Sequence, residues 1–359
     1  MKSSGIGGQA VLEGIMMRNG GKYAVAVRKP DKEIAIDIQG HQGLTDKYKF
    51  LNIPFIRGVF KFAESLSVGI KTLTYSASFF EDEEEEVKPK KEKKAKKSDK
   101  PKKEKDPKKA KKTEDLIMTL TVCVSVVFSV FLFIVLPFLV AEFFRNVLGV
   151  TSDTIIAIVE GVMRILIFIV YLLLISKMED IQRTFMYHGA EHKCINCIEH
   201  GMPLTVENVR KSSRIHKRCG TSFLLFVVVI SIISFILVSA IMPAAAKGWM
   251  KLVVRLILIP VIAGISFEIL RKAGNSDGKI ITFISKPGMA LQKLTTREPD
   301  DSMIEVGIAA TEAVFDWKQY LTENFNMKFE EEATTDAESV VETADEAVAE
   351  SDEESCCLE

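Results

Sequence analysis

Long apolar runs occupy the middle of the chain and predict membrane-spanning helices. Crossing the hydrocarbon core of a bilayer takes about 20 largely apolar residues. Four runs meet this length, at residues 116–141, 155–176, 222–242 and 252–270. We therefore expect a mainly α, polytopic membrane protein with about four transmembrane helices.

Two shorter patterns precede the first apolar run. β-Branched residues recur at 22–28 and 33–39, with Pro30 and Asp31 between them, which predicts a β-hairpin closed by a type I turn. From residue 53 to 80, apolar residues recur at every third or fourth position, which predicts an amphipathic helix. That helix either lies on the membrane surface or packs against the helix bundle.

Charged tracts separate and follow these elements. Residues 81–113 form an acidic block and then a lysine-rich run, and residues 328–359 are acidic; both tracts are predicted to be disordered. The formal net charge of −1 therefore conceals strong local imbalances. The lysine-rich run precedes the first span, where it favours contact with anionic lipid headgroups. It lacks interleaved aromatic residues, so no nucleic-acid partner is expected.

The basic residues also predict an orientation, because short cytoplasmic loops are enriched in Lys and Arg. The connection at 142–154 carries one basic residue, whereas 177–221 carries eight, so that loop and both termini are expected in the cytoplasm. The resulting segments are a cytosolic Gly-rich and β-hairpin element (1–52), an amphipathic helix (53–80), a disordered charged linker (81–113), transmembrane helices 1 and 2 (114–176), a cytosolic His/Cys loop (177–221), transmembrane helices 3 and 4 (222–272), a cytosolic segment with a helix (273–327) and an acidic disordered tail (328–359).

The His/Cys loop holds the candidate chemistry. Four of the five His and three of the six Cys in the chain lie between residues 188 and 219. His188, Glu191 and His192 spell H-x-x-E-H, a zinc-binding pattern. On a helix the two His lie one turn apart on one face, and Glu191 lies on the adjoining face, in position to act as a general base on water.

A zinc site needs three or four protein ligands, so further ligands must come from elsewhere. His216 and Cys219, directly before the third span, are the main candidates; Cys197, Cys194 and Glu268 are weaker ones. Mixed His and Cys ligation suits Zn²⁺, although Fe²⁺ and Co²⁺ also accept it. The plainer interpretation is that these are ordinary polar residues of a cytosolic loop.

Charged residues within the predicted spans need partners, because lipid does not solvate them. Glu160 and Arg164 are four residues apart on one helix and are expected to form an ion pair. Arg255 enters the fourth span at a similar depth, so it is expected to pair with Glu160 across helices. Ion pairs that set helix packing are favoured here over an ion or proton path.

Several local motifs resemble those of one family. They are Gly7–Gly14 with Met16–Arg18, Ile53–Gly58, Tyr187–Lys193, Cys219–Phe223 and Thr295–Asp301. On these residues the chain resembles the YqhQ-like family of bacterial integral membrane proteins, whose function is unknown and which is sometimes labelled a predicted metal-dependent enzyme. The resemblance implies a bacterial plasma membrane. It also implies a metal group of His188, Glu191, His192, His216 and Cys219.

Metal-dependent hydrolysis is the favoured function, acting on a peptide or a lipid-linked substrate at the membrane surface, with Glu191 as general base. The alternative is a non-catalytic metal staple in a scaffold or a membrane-protein assembly factor. Four protein ligands favour the staple, whereas three ligands and a water favour catalysis. Ion transport ranks third, because the spans offer few polar groups. The sequence predicts no particular protein partner.

Overall fold

Helices predominate in the computed structural model of the protein, which describes residues 2–80, 107–241, 248–274 and 278–329. They are α1 (Leu44–Lys47), α2 (Ile56–Ala77), α3 (Pro107–Val130), α4 (Leu136–Leu148), α5 (Asp153–Ile175), α6 (Glu179–Glu199), α7 (Val206–Lys211), α8 (Gly220–Ile241), α9 (Gly248–Gly274), α10 (Lys279–Thr295), α11 (Asp301–Glu312) and α12 (Trp317–Phe325). The chain forms two units, Met1–Trp317 and Lys318–Glu359. The site described below belongs to the first.

Among the described residues, four helical stretches are long and apolar enough to cross a membrane. They are Thr119–Leu148, Ile155–Ile175, Gly220–Val238 and Trp249–Gly274. Many of their large apolar side chains are exposed, Leu120 by 61% and Ile257 by 67%, as lipid-facing side chains are. The predicted class, mainly α with about four spans, is confirmed.

The predicted disordered tracts fall largely outside the described residues, which omit 81–106 and 330–359. Helix α3 nevertheless begins at Pro107, within the segment 81–113 that the sequence predicts to be disordered. Proline is favoured in the first helical turn, because the N–H that it lacks has no helical partner there.

Pro137 interrupts the first span. Because proline has no N–H, the carbonyl of Phe133, four residues earlier, loses its usual helical partner. The helix takes a π-helical turn at Phe131–Val135 before continuing as α4. Arg164 of α5 donates its Nε–H to the Phe133 carbonyl at 2.9 Å, which satisfies that oxygen within the membrane-spanning part.

The buried charges of the spans pair as the sequence predicts. Arg164 Nη2 lies 2.8 Å from Glu160 Oε1, and Arg255 Nη2 of α9 lies 2.7 Å from Glu160 Oε2. Both guanidinium groups also lie over the ring of Phe235 in α8, at 4.7 and 5.2 Å from its centroid. This cluster therefore ties three spans together, and both predicted ion pairs are confirmed.

An antiparallel sheet begins the chain. In spatial order its strands are β1 (Gly7–Val11), β2 (Gly14–Asn19), β3 (Lys22–Arg28) and β4 (Ile34–Gly40). Strands β3 and β4 are the predicted hairpin, in which Lys32 N–H donates to the Lys29 carbonyl at 2.9 Å across Pro30 and Asp31. Strands β1 and β2 are not predicted, since the glycines of residues 1–21 mask their short apolar runs.

The sheet packs on both of its faces. On one face Val11 and Met16 contact Val68 of α2. On the opposite face Ile15 is fully buried near α11, where a Cβ placed on Gly307 would lie 3.2 Å from its Cδ1. Adjacent residues of a strand point to opposite faces, so β2 contributes buried side chains to both faces of the sheet. Helix α6 also packs against β1 and β2.

Candidate metal site

Helix α6 begins just beyond the second span and carries the H-x-x-E-H motif. The turn between β1 and β2 fixes it, because the Glu13 carboxylate accepts a hydrogen bond from Arg183 Nη2 at 2.6 Å and one from the Tyr187 hydroxyl at 3.2 Å. Burial and the nearby Glu13 raise the pKa of Tyr187 above its ordinary value, so its hydroxyl stays protonated and donates. The sheet is thereby anchored next to His188.

Backbone carbonyls orient both imidazole rings of the motif. His188 Nδ1 lies 2.8 Å from the Thr295 carbonyl oxygen, and His192 Nδ1 lies 2.7 Å from that of Arg214. A carbonyl only accepts, so each Nδ1 carries a proton, and in the neutral ring Nε2 then presents the lone pair that binds a metal. Metal-ligating histidines are commonly held in this way, because the outer hydrogen bond fixes the tautomer and the ring orientation.

The third member of the group is Cys219, at the start of α8. The ligand atoms of His188, His192 and Cys219 all lie within 4.8 Å of one another. The Cys219 Sγ is 3.2 Å from His188 Nε2, and the centroids of the two imidazole rings are 4.4 Å apart. Ligands of a tetrahedral Zn²⁺ lie about 3.3–3.6 Å apart. At its widest the group is thus about 1.2 Å more open than a zinc site.

Gly189 lets the segment after α10 approach α6 closely. A Cβ at Gly189 would lie 2.0 Å from the Arg297 carbonyl oxygen, so only glycine fits here. Arg297 N–H in turn donates to the Phe185 carbonyl at 2.9 Å. The Thr295 carbonyl that orients His188 is at the end of α10, two residues before Arg297. The Thr295–Asp301 motif therefore includes the carbonyl that orients His188, although the composition of the motif does not predict this contact.

Glu191 faces the N-terminal sheet and is 5% exposed. The N–H of Gly8 donates to its carboxylate, and a Cβ at Gly8 would lie 2.9 Å from Glu191 Cγ. Its Oε2 is buried and has no hydrogen-bond partner among the described residues. Burial raises the pKa of Glu191 to about 7, and the nearby His188 opposes this rise. A carboxyl group with these properties is typical of a general base.

His216 is bound elsewhere, although it precedes Cys219 by three residues. Its Nε2 lies 3.2 Å from Glu199 Oε2, and its Nδ1 accepts from Arg218 N–H at 3.4 Å. Burial lowers the pKa of His216, which keeps the ring neutral. Burial alone would raise the pKa of Glu199, but hydrogen bonds from His216 and Arg218 lower it to about 2. Both ring nitrogens of His216 are therefore committed.

The three weaker ligand candidates also have other surroundings. Cys194 packs on α11, where a Cβ at Gly307 would lie 2.9 Å from its Sγ. Cys197 directs its Sγ at backbone carbonyls, and burial raises its pKa to about 11, which disfavours the thiolate that binds metal. Glu268 accepts two hydrogen bonds from Arg57, at 2.6 and 2.7 Å. The described geometry does not bring these three residues to the group.

The fold and the site define a helical, membrane-type protein with a His–His–Cys group where its apolar helices end. The chain belongs to the family described as "Protein of unknown function (DUF1385)", whose model matches residues 53–317. It is 33% identical over 312 residues to "Uncharacterized protein YqhQ" of Bacillus subtilis (strain 168), covering 84% of this chain and 89% of that one. No solved structure matches it. The resemblance inferred from the motifs is confirmed, and neither description names an activity.

Proposed function

We propose that the protein is a membrane-bound, metal-dependent hydrolase whose Zn²⁺-type site is formed by His188, His192 and Cys219. One observation carries the proposal: their three ligand atoms lie within 4.8 Å, and both Nδ1 atoms contact backbone carbonyls. Two imidazoles and a thiolate suit Zn²⁺. A divalent cation held here would supply Lewis acidity, which would polarise a scissile carbonyl or phosphoryl group and lower the pKa of water.

Glu191 is the general base in this proposal. Its place in the motif puts it on the face of α6 that adjoins the two His, and His188 is close enough to influence its pKa. Its unpartnered Oε2 accepts the proton of the attacking water, and a pKa of about 7 lets it pass that proton on near neutral pH.

The alternative function is a metal staple in a membrane scaffold or assembly factor. An ion bound by this group would tie α6 to the start of α8, which is a structural benefit in itself. Three ligands, rather than four, support catalysis, because they leave a position for water or substrate. The residue best placed to complete the set, His216, is bound by Glu199.

The proposal places the site at the cytoplasmic surface of a bacterial plasma membrane, with both termini on that side. The basic residues of 177–221 support this orientation, because they cluster between the second and third apolar helices. Ion transport is the weakest alternative, since the buried Glu160 pairs with two arginines rather than lining an open path.

Cobalt substitution tests the proposal without a known substrate. We expect Co²⁺-loaded protein to show visible absorption bands that shift when acetohydroxamate is added, because a three-ligand site leaves a position open. Bands that do not shift when acetohydroxamate is added would instead indicate a structural site with no open coordination position. Glu191→Gln should keep the bands and lose metal-dependent hydrolysis of chromogenic esters; full activity in that variant would refute its role as general base.

A further inference from the structure

An open cavity of about 460 Å³ lies beside the candidate metal group, between the N-terminal segment, α2 and the end of α9. Gly8 forms part of its wall and also contacts Glu191. Arg218, another wall residue, directly precedes Cys219. The cavity and the metal group therefore share part of their structure. Its volume is in the range of small-molecule sites, about 300–1,000 Å³.

The polar part of the wall is cationic. Arg18, Arg218 and Arg271 line the cavity, and no Asp or Glu is among the described residues that do so. Two of these guanidinium groups are held by buried carboxylates that do not line it: Arg18 Nη2 lies 2.6 Å from Glu64, and Arg218 pairs with Glu199. Each guanidinium has five N–H donors, so these pairs fix the groups without using all of their donors.

Arg271, in the last turn of α9, is the least neutralised of the three. Its side chain is 50% exposed, and the nearest carboxylate oxygen, on Glu268, is 4.0 Å away and already bound by Arg57. Gly5 and Gly7 also line the cavity, and a Cβ on either would meet no atom within 4 Å. The backbone here leaves space for a ligand to approach closely.

The rest of the wall is mostly apolar and lies at the end of a span. Val68 of α2 contributes, together with Phe267 and Leu270 from the last two turns of α9. Helix α9 contains the apolar stretch Trp249–Gly274, so the cavity lies at the level where that stretch ends. A cationic wall beside an apolar one, at a membrane boundary, matches an amphiphile with an anionic head. Guanidinium groups bind phosphate oxygens with two N–H bonds at once.

We propose that this cavity binds the phosphate group of an anionic ligand, and that a phospholipid headgroup entering from the membrane boundary is its favoured source. As a binding site it is independent of the metal. The further step, that this phosphate-bearing ligand is the substrate of the metal group, rests on the proposed function.

Native mass spectrometry of the detergent-purified full chain tests the site, with dioleoyl phosphatidate as the probe and dioleoylglycerol as the uncharged control. Arg271→Gln should weaken phosphatidate binding about fivefold, the equivalent of one partly exposed ionic contact. Lys272→Gln is the matched control, because Lys272 carries the same charge one residue later and does not line the cavity. It should change binding less than twofold, because an exposed charge that does not contact the ligand contributes little.

A second pair of variants tests the cavity by volume rather than by charge. Ser65 of α2 lines the cavity, whereas the exposed Ser67 does not. Ser65→Trp should abolish phosphatidate binding, and Ser67→Trp should leave it intact. Equal losses within either pair of variants, or equal binding of dioleoylglycerol, would overturn the proposal.

Two further arms separate the ligand source and the metal chemistry. Inorganic phosphate that displaces phosphatidate, and binds as tightly, would keep the site and assign it to soluble phosphate esters. His188→Ala should lose metal and still bind phosphatidate. Phosphatidate binding that disappears with the metal would overturn an independent site, whereas a wild-type protein that binds phosphatidate but holds no metal would refute only the proposed hydrolase.

Discussion

Two polar clusters lie along α6, and they use similar residues in opposite ways. In the first, His188 and His192 direct Nδ1 at backbone carbonyls and leave Nε2 facing the Cys219 thiol. In the second, Glu199 binds both His216 and Arg218, and so neutralises the cluster from within. A histidine is available to a metal only where its second nitrogen has no competing partner.

The comparison also explains why proximity in sequence misleads here. His216 lies close to Cys219 along the chain, and its ring centroid is 5.8 Å from that of His192. The fully buried carboxylate of Glu199 nevertheless contacts the Nε2 of His216. The side chain of Gln292 bonds the backbone N–H and the backbone carbonyl of His216. The second cluster therefore stabilises the loop that carries Cys219, and the first is the one that we propose to bind a metal ion.

The largest effect is expected from breaking the second cluster. Glu199→Gln removes the buried charge that neutralises Arg218, and losing one partner of such a pair costs about 3 kcal/mol of the free energy of unfolding. Glu207→Gln is the control, because its ion pair with Lys211 is exposed and contributes little to stability. Denaturation in detergent measures both; equal shifts would contradict a stabilising role for Glu199.

The effect of Glu199→Gln on stability should depend on pH. The folded pKa of Glu199, about 2, lies below its ordinary value of 4.5, so its contribution to stability is complete above the unfolded pKa. It is lost as the pH falls toward the folded pKa. The difference in Tm between wild type and Glu199→Gln should therefore be constant above about pH 5 and shrink between pH 4.5 and 2. A difference that persists at low pH would show that the cause is not the charge.

A smaller effect is expected from moving a carbonyl of the first cluster. Gly189→Ala places a Cβ against the Arg297 carbonyl and displaces the segment that holds Thr295. Loss of an outer partner of a ligating histidine weakens metal binding about 10- to 100-fold. Gly220→Ala is the control, because it adjoins Cys219 and its Cβ would meet no atom within 4 Å. Competition with a chromophoric chelator measures both affinities, which we expect to differ by at least tenfold.

The smallest effect concerns the thiol. The Thr221 hydroxyl lies 3.1 Å from Cys219 Sγ, so Thr221→Val removes one hydrogen bond and should weaken metal binding about threefold. Thr184→Val, at a partly exposed position of α6, removes a hydroxyl that bonds the Asp180 carbonyl and should leave metal affinity unchanged. An unchanged affinity in Thr221→Val would show that this hydroxyl does not tune the thiolate.

The spans and the β3–β4 hairpin follow from local sequence, because run length and turn residues are properties of short segments. The Glu160–Arg164 pair is predictable for the same reason, since four residues separate its members on one helix. Strands β1 and β2 are harder to predict: their glycines are used for close packing, such as that of Gly8 on Glu191, rather than for turns.

In the candidate site too, the features that local sequence predicts can be separated from those that depend on distant contacts. The motif spacing predicts His188, Glu191 and His192, and the topology adds Cys219. The sequence does not predict that the carbonyls of Thr295 and Arg214 orient the rings, because every residue has a backbone carbonyl. His216 lies apart from the group because Glu199, 17 residues earlier in the sequence, contacts its Nε2, and no motif predicts that contact.

The most direct test of the central claim is metal content by mass spectrometry on wild type, His188→Ala and His216→Ala, each purified as folded protein in detergent. We expect about one metal ion per chain in wild type, as a single three-ligand site holds. His188→Ala should be metal-free, and His216→Ala should retain the ion. Wild type without metal, or equal loss from both variants, would contradict the division of α6 into one open and one neutralised cluster.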